Sequence, residues 1–281
     1  MMEIYYLNAK GEKLNLTEWP YRIQTGNILN YKKPYIFSQT SYGGEILGFN
    51  PELVEKNITL TVSAKSMAEY YAALNHFYDV VDYDVVNLIP GKLYVNGQYM
   101  RCFIFGSEKT EWEYGCNWLD NAIAIVSGTA VWITESTKSF TTAGSQAGAG
   151  YEFLDYPYDY DYDYAPDFYP PEIINIDHYA DCKFLLKIYG PAIDPSVTIN
   201  GIERKVYVTL EEGQYLLIDV RDKTVKRILI DGTALDAFDN RKKAGKSIFI
   251  PMVPGLNEIV WNHSFGFDLT IFKERSEPEW R

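Results

Sequence analysis

Short apolar runs that alternate with turn dipeptides recur along most of the chain, and this pattern constrains its fold more than any other feature. In the last third the turn dipeptides are Asn200-Gly201, Glu212-Gly213, Asp231-Gly232 and Pro254-Gly255. Apolar runs bounded by such turns predict short strands. The strands predicted here are Lys183–Tyr189, Lys205–Thr209, Tyr215–Asp219, Val225–Ile230, Ser247–Ile250, Leu256–Trp261 and Phe267–Phe272. Short, closely spaced strands without a helix predict an all-β, two-sheet sandwich.

The first part of the chain shows the same strand pattern. Its clearest runs are Tyr99–Phe105, Asn121–Val126 and Ala130–Thr134. Asn96-Gly97 lies between two apolar runs, which is a strong signal for a hairpin with a two-residue turn.

One segment of the first part predicts a helix instead. Ser66 and Glu69 form an S-x-x-E capping box, and a helix is expected from about Met67 to Asp82. Apolar residues recur there at helical spacing and predict a stripe that packs on a sheet. The members of this stripe are Met67, Tyr71, Leu74, Tyr78 and Val81. Glu69, His76 and Asp79 are expected on the opposite, polar side. The first domain is therefore predicted to be α+β, mainly β with one helix.

After Thr134 the composition changes, and we place the domain boundary in the region that follows. The segment TTAGSQAGAG is small and flexible in composition, and LDYPYDYDYDYAPDFYPP follows it. The prediction is an N-terminal domain over residues 1–168, which includes an acidic Asp/Tyr linker at 151–168, and a C-terminal domain over 169–281.

The linker alternates tyrosine and aspartate, and in an extended strand such residues fall on opposite faces. One face would carry Tyr156, Tyr158, Tyr160, Tyr162 and Tyr164, and the other would carry Asp159, Asp161 and Asp163 together with Asp155. The tyrosines can pack on a sheet or on a neighbouring chain, while the aspartates must stay hydrated. This row of aromatic and acidic residues is the predicted interface site, and an ordinary solvated linker is the alternative.

A calcium loop is a second alternative for the same stretch, because Asp159, Asp161 and Asp163 match the start of an EF-hand loop. Such a loop needs glycine at its sixth position and a carboxylate at its twelfth. Tyr164 and Pro170 occupy those positions, so an EF-hand is not predicted. A looser cation site stays open, and no metal or cofactor is assigned.

Charge and cysteine content exclude several classes of protein. The formal net charge is −12, and residues 1–171 hold 11 Lys and Arg against 21 Asp and Glu. An acidic chain is poorly suited to gripping a phosphate backbone, so no stable nucleic-acid binding is expected.

Cys102, Cys116 and Cys182 have no CxxC spacing and predict neither a disulfide scaffold nor a zinc site. No apolar run is long enough for membrane insertion, and no secretory leader is visible, so synthesis in a cytoplasm is expected.

No pattern predicts a catalytic site. Ala244-Gly245-Lys246-Ser247 resembles the end of a phosphate loop, but Asn240 stands where that motif needs glycine. The three histidines show no metal-binding spacing, and no pair of carboxylates stands out among the many acids. Trp112, Trp118, Trp132 and Trp261 could stack on sugars, but core or interface positions are more usual for tryptophan.

The order of these features resembles the distal tail proteins of long, non-contractile-tailed bacteriophages, the Dit-like tail components of siphoviruses. The resemblance spans nearly the whole chain. It consists of Gly43-Gly44 before an apolar step, one helix, LYVNGQYMRCFIF and a strand ending near AVWIT, then the Asp/Tyr/Pro linker. It ends with IYGPAIDPSVTINGIERKV, GQYLLIDVRDKTV, PGLNEIVWN and FKERSEPEWR. The acidic Asp/Tyr repeat departs from the Pro-Phe/Tyr-Thr version that is commoner in this family.

The resemblance implies a non-enzymatic structural protein of the virion, at the tail tip. It implies a homo-hexameric ring formed by the first domain around a channel, with the tail tube protein on one side and a tail-tip or tail-associated protein on the other. The second domain would be a galectin-like or carbohydrate-module-like sandwich. It would carry a receptor-binding protein or other baseplate parts, or touch a host saccharide.

Two other functions stay open on the sequence alone. A carbohydrate-binding module that contacts host cell-wall polysaccharide would need an exposed aromatic platform on the second sandwich. A tail-associated hydrolase would need a pair of acids that the sequence does not nominate.

Overall fold

The structure is a computed structural model that describes residues 2–49, 53–109, 112–129, 131–142 and 170–280. The contacts divide the chain into two compact units. The first consists of Met1–Thr134 with Glu274–Arg281, and the second of Glu135–Lys273. The predicted boundary between residues 168 and 169 lies outside the described residues, so the division into 1–168 and 169–281 stays a prediction.

The described part of the first unit is mainly β with one α-helix, as the sequence predicts. Its strands and helix are β1 (Ile4–Leu7), β2 (Lys13–Asn15), β3 (Tyr21–Gly26), β4 (Tyr35–Thr40), β5 (Gly43–Phe49), β6 (Val54–Ser63), α1 (Met67–Asn87), β7 (Gly91–Val95), β8 (Gln98–Glu108), β9 (Trp118–Ser127) and β10 (Trp132–Phe140), which begins in this unit. The strands pair antiparallel in the orders β2-β1-β7-β8 and β3-β6-β9-β8, so β8 takes part in both.

The hairpin predicted at Asn96-Gly97 is confirmed. Val95 pairs with Gln98 across a two-residue turn, and Asn96 and Gly97 have φ of 49° and 78°. Positive φ at both central residues is the requirement of a type I′ turn, whose twist matches that of the flanking strands. The predicted strands over Tyr99–Phe105 and Asn121–Val126 lie within β8 and β9.

Helix α1 begins where the capping signal predicts but ends later. The Ser66 hydroxyl accepts a hydrogen bond from the Glu69 N–H, at 3.3 Å. The Glu69 carboxylate accepts from the Lys65 N–H rather than from that of Ser66, so the capping box is only half formed. The helix continues to Asn87 instead of Asp82, because nothing in the intervening sequence stops it.

The buried face of α1 differs from the predicted stripe by about one residue of rotation. The buried residues are Tyr70, Ala73, Phe77, Val80, Val81 and Asp84. Of the predicted stripe, Val81 is buried, Leu74 and Tyr78 pack partly against the core, and Tyr71 is half exposed. The error arises because aromatic residues occupy neighbouring positions, so periodicity alone cannot choose between the two faces. Glu69, His76 and Asp79 are exposed, as predicted.

A buried carboxylate fixes the last turns of α1 against the strands below. Asp84 is fully buried and accepts hydrogen bonds from the Tyr6 hydroxyl at 2.5 Å and from the Ala9 N–H at 2.8 Å. Burial, and then the bond to Asp84, raise the pKa of Tyr6 well above its usual range. Gly91 is required beside them, because a Cβ there would lie 2.2 Å from the Tyr6 hydroxyl oxygen.

The described part of the second unit is built from short strands and one turn of 3-10 helix at Phe238–Asn240. Its strands are β11 (Glu172–Ile176), β12 (Lys183–Tyr189), β13 (Ala192–Ile193), β14 (Ser196–Ile199), β15 (Ile202–Lys205), β16 (Thr209–Leu210), β17 (Tyr215–Asp219), β18 (Thr224–Ile228), β19 (Ala234–Asp236), β20 (Gly255–Val260) and β21 (Phe267–Arg275). One sheet has the order β19-β18-β17-β12-β21, a second has the order β11-β20-β14-β15, and β13 pairs with β16.

Both sheets contribute to a single apolar core, which is the packing of a β-sandwich. The core residues of the first sheet include Phe184, Ile218 and Phe267, and those of the second include Ile199 and Ile259. The predicted galectin-like or carbohydrate-module-like character of this unit stays a prediction.

Two of the predicted strands in this unit are wrong. Lys205–Thr209 spans the end of β15, a connection and the start of β16. Ser247–Ile250 forms a turn, with Ile248 buried. The buried Arg204 guanidinium donates a hydrogen bond to the Ile250 carbonyl at 2.9 Å. This bond gives the Ile250 carbonyl a partner in place of a neighbouring strand. The sequence pattern of a short apolar run is the same whether the run forms a buried turn or a strand.

We expect the Asp84 carboxylate to be a main determinant of the stability of the first unit. Asp84→Ala leaves the Tyr6 hydroxyl and the Ala9 N–H buried without an acceptor, and should lower the free energy of unfolding by about 3 kcal/mol. Asp82→Ala is the matched control, because Asp82 is exposed on the same helix, and it should cost about 0.5 kcal/mol or less. Urea denaturation of the full chain measures both. Equal effects of the two variants would contradict this role.

Candidate functional site

The predicted row of aromatic and acidic residues lies outside the described residues. Its members are Tyr156, Tyr158, Tyr160, Tyr162, Tyr164, Asp159, Asp161 and Asp163. Their proposed interface role, and the alternatives of a solvated linker or a cation site, stay predictions.

The described residues bring no metal-binding cluster together. No cluster of three or more His, Cys, Asp or Glu suited to a metal is found within ranges 2–49, 53–109, 112–129, 131–142 and 170–280. Cys102 is buried, which raises the pKa of its thiol to about 12 and keeps it protonated. In the same ranges no helix combines the length and the apolar character of a membrane span.

The tryptophans separate into buried and exposed residues. Trp132 and Trp261 are core residues, and the Trp261 indole donates a hydrogen bond to the Phe265 carbonyl at 3.2 Å. Trp112 and Trp118 are exposed, but both belong to the first unit. The tryptophan of the second unit is therefore buried and does not form a sugar-stacking platform, whereas Tyr179 and Tyr207 of the same unit are exposed.

The most unusual surface of the first unit is the hairpin of β4 and β5, residues 35–49, which we call the arm. Its two strands form a separate two-stranded sheet that pairs with no other described strand. Large apolar side chains along it and at its base are exposed rather than packed. They are Tyr31, Tyr35, Ile36, Phe37, Tyr42, Ile46, Leu47 and Phe49. A two-stranded hairpin is marginally stable on its own, and apolar patches of this size mark interaction sites.

A β-bulge at Leu47 gives the arm one strongly apolar face. Tyr35 pairs with Phe49, whereas Phe37 pairs with Ile46, because the register shifts by one residue between these pairs. Directly paired residues point to the same side of a sheet. These four side chains, which are each between 56 and 60% exposed, therefore share the apolar face.

The opposite face of the arm is more polar. It carries Ser38 paired with Glu45 and Thr40 paired with Gly43. The register also places Ile36 on it, and the bulged Leu47 has no paired residue that assigns it to the apolar face. Glu45 is the only charged residue of the arm.

The base of the arm is firmly attached to β6. The Asn27 N–H donates to the Asn57 carbonyl at 3.0 Å, and the Asn57 N–H donates to the Asn27 side-chain oxygen at 2.7 Å. The buried ammonium of Lys56 donates to the Asn30 carbonyl, and burial lowers the pKa of this lysine. Gly26 permits this close approach, since a Cβ there would lie 2.8 Å from the Asn57 carbonyl oxygen. The chain just before the arm is therefore held to β6 by hydrogen bonds.

A second exposed surface lies on α1, on the side away from the core. We call it the helix face, and it consists of Ala72, His76, Asp79, Asp82, Tyr83 and Val86. The helix contains no Lys or Arg, and its last turn has no basic residue to offset the negative end of the helix dipole. The C-terminal half of this face thus combines negative charge with exposed apolar groups.

Leu88 ends this helix in an unusual way. It caps α1 in the left-handed conformation, with φ of 54° and ψ of 33°, and its side chain is 81% exposed. Glycine is the usual residue at such a cap, because a Cβ makes this conformation unfavourable. The sequence thus keeps an apolar side chain in solvent at a position where glycine would be more stable.

Sequence reasoning missed the arm, and of the helix face it placed only His76 and Asp79 on the exposed side. The available signal was the run from Tyr35 to Phe49, which is rich in aromatic and β-branched residues yet has a single charge. Periodicity marks such a run as a hairpin, but it does not reveal that the hairpin lacks a third strand.

Comparison with known structures shows what the chain as a whole is similar to. It matches a chain of the phage P2 baseplate in its activated conformation with Ca, at 16% identity and a TM-score of 0.65, over 99% of this chain and 100% of that one. The same baseplate with Sr gives 17% identity, with the same TM-score and coverage. The Dit protein of phage SPP1 (gp 19.1), described as a paradigm of the hub adsorption apparatus in phages that infect Gram-positive bacteria, matches at 9% identity and a TM-score of 0.58, over 98% and 99% of the two chains.

No protein-family profile matches the sequence, and no curated protein does. The likeness therefore rests on the fold, and it extends over the whole length of the chain. The resemblance to distal tail proteins that the sequence predicted is confirmed at this level.

We expect Leu88→Gly to stabilise the isolated chain. Glycine relieves the unfavourable left-handed conformation, and the free energy of unfolding should rise by up to about 1 kcal/mol. Leu88→Ala is the control, because it removes the same exposed side chain but keeps a Cβ, and it should not stabilise. Thermal and urea unfolding measure both variants. A Leu88→Gly protein no more stable than Leu88→Ala would show that the cap is not strained.

Proposed function

We propose that this protein is a structural hub component of a phage or prophage baseplate, at the distal end of a long, non-contractile tail. The observation that carries the proposal is the fold match over essentially the full length of both chains to baseplate and hub proteins. A match confined to one unit would have suggested a shared module only.

In this role the protein forms a ring. The family resemblance implies that this ring contains six copies of the chain. The first domain surrounds a channel and joins the tail tube protein to the tail-tip protein. The second domain carries adhesion parts outward, such as a receptor-binding protein, or meets a host saccharide. The exposed arm supports an assembly role, because an apolar surface of this kind needs a partner. No catalytic step is part of the proposal.

The distribution of charge fits a channel that lets DNA pass. Residues 1–134 hold 10 Lys and Arg against 14 Asp and Glu, and residues 135–171 hold one against seven. The acidic surplus of the first 171 residues is therefore concentrated around the linker. An acidic wall repels phosphate and leaves DNA unbound.

The proposal predicts that the protein is found in tail particles, at the tip. Antibody labelling of virions or induced prophage particles should mark the end of the tail opposite the head. Electron microscopy of the purified chain, with and without its tail-tip partner, should show closed rings. A protein that is absent from tail particles and stays monomeric with that partner would overturn the proposal.

A further inference from the structure

We propose that the apolar face of the arm packs against the helix face of a second copy of this chain. The arm and the helix face are then the two halves of one repeated contact. This inference rests on the proposed ring and names the surfaces that close it.

The exposed apolar surface of the arm supplies about half of a standard interface. Eight large apolar side chains from Tyr31 to Phe49 are at least 45% exposed. If each of the four on the apolar face offers on the order of 100 Å², that face supplies about 400 Å² of the roughly 800 Å² that one partner contributes to a stable protein interface. The apolar face groups four of these side chains on one side, so a single partner surface can cover them.

The charges of the two surfaces are complementary. Lys32 and Lys33 lie exposed at the base of the arm and form no ion pair with any described residue. Asp79 and Asp82 likewise have no ionic partner in the described part of the chain, and they lie next to the exposed side chains of Tyr83 and Val86. The two lysines just before β4 and the two aspartates of the helix face therefore carry opposite charges that can pair across the contact.

Within one chain these two surfaces do not cover each other. The arm residues and the helix-face residues are both exposed in the first unit, so their contact requires another copy. Two different patches that bind each other make a head-to-tail interface, and such an interface produces a ring when its rotation closes.

Hydrogen bonds anchor both surfaces within the first unit. The chain just before the arm is attached to β6 through Asn27, Asn57 and Lys56, and α1 is attached to the strands below it through Asp84. Anchoring of this kind reduces the freedom that association must remove.

The first test compares two isoleucines of the arm. Ile46→Asp places a carboxylate on the apolar face, whereas Ile36→Asp places the same group on the opposite face. Both side chains are exposed in the single chain, so circular dichroism and melting temperature should stay near those of the wild type. Self-association of the full chain, measured by sedimentation velocity with the tail-tip partner present if it is needed, should weaken about 100-fold for Ile46→Asp and much less for Ile36→Asp.

The second test reverses charge across the contact. Lys32→Glu with Lys33→Glu, or Asp79→Lys with Asp82→Lys, should each weaken self-association about 10-fold or more. A chain that carries all four replacements restores opposite charges at every interface of the ring and should recover most of the lost affinity. Failure of the fourfold variant to recover would exclude this pairing of surfaces.

Incorporation into tail particles separates this inference from the proposed function. If Ile46→Asp still forms rings and tails, the arm contact is wrong but the hub function stands. If Ile46→Asp self-associates normally yet is missing from tails, another tail protein covers the arm, and the inference is overturned. If the wild-type chain itself is absent from tails, the proposed function fails first.

Discussion

The buried carboxylate of Asp84 determines how the first unit presents its helix. A helix packed by apolar contacts alone could rotate by one residue at modest cost, because aromatic side chains occupy adjacent positions around α1. The bonds from the Tyr6 hydroxyl and the Ala9 N–H to Asp84 remove that freedom, since a rotation would leave buried donors without an acceptor. The exposed helix face, and the position of Leu88 at its end, follow from this contact together with the bonds from the Tyr21 hydroxyl to the Ala73 carbonyl and from the Asn8 side-chain amide to the Val80 carbonyl.

The arm is subject to the opposite constraint. A two-stranded sheet has too few strands to cover either of its own faces, so its apolar side chains stay in water unless another molecule packs on them. The hydrogen bonds at Asn27, Asn57 and Lys56 hold its base to β6 without contributing to its far end. A chain under selection only for its own stability would not keep Phe37 and Ile46 in solvent. Their exposure is explained when the stable unit is an assembly and the single chain is one part of it.

The sequence predicted the elements whose signals are local. The hairpin at Asn96-Gly97, the start of α1 at Ser66, and the strands Lys183–Tyr189 and Tyr215–Asp219 were predicted because turn and cap chemistry act within a few residues. The sequence failed where the outcome depended on distant partners. The rotation of α1 depends on Tyr6, about eighty residues before Asp84 in the chain.

The same distinction between local signals and distant partners applies to the candidate site. The residues of the linker were singled out because their alternation is visible in the sequence, and their role stays a prediction. The arm was not singled out, because its apolar residues look like those of any hairpin until the missing third strand is seen. The bulge at Leu47 shows most clearly what sequence periodicity cannot predict. Strict alternation would place Ile46 and Phe49 on opposite faces, and only the observed register brings them together.

The hub that we propose would have little need for fixed residues, and this would account for a shared fold at such low identity. A catalytic site needs particular groups within tenths of an ångström, whereas an assembly contact needs complementary shape, apolar area and charge, which many residue sets can supply. Core positions likewise accept different apolar side chains if volume and pattern are kept. The chain can therefore share its fold with baseplate and hub proteins from end to end at 9 to 17% identity. If the arm and helix face are one contact, their residues should vary together among relatives, so that a change of charge at Lys32 or Lys33 is matched by a change at Asp79 or Asp82.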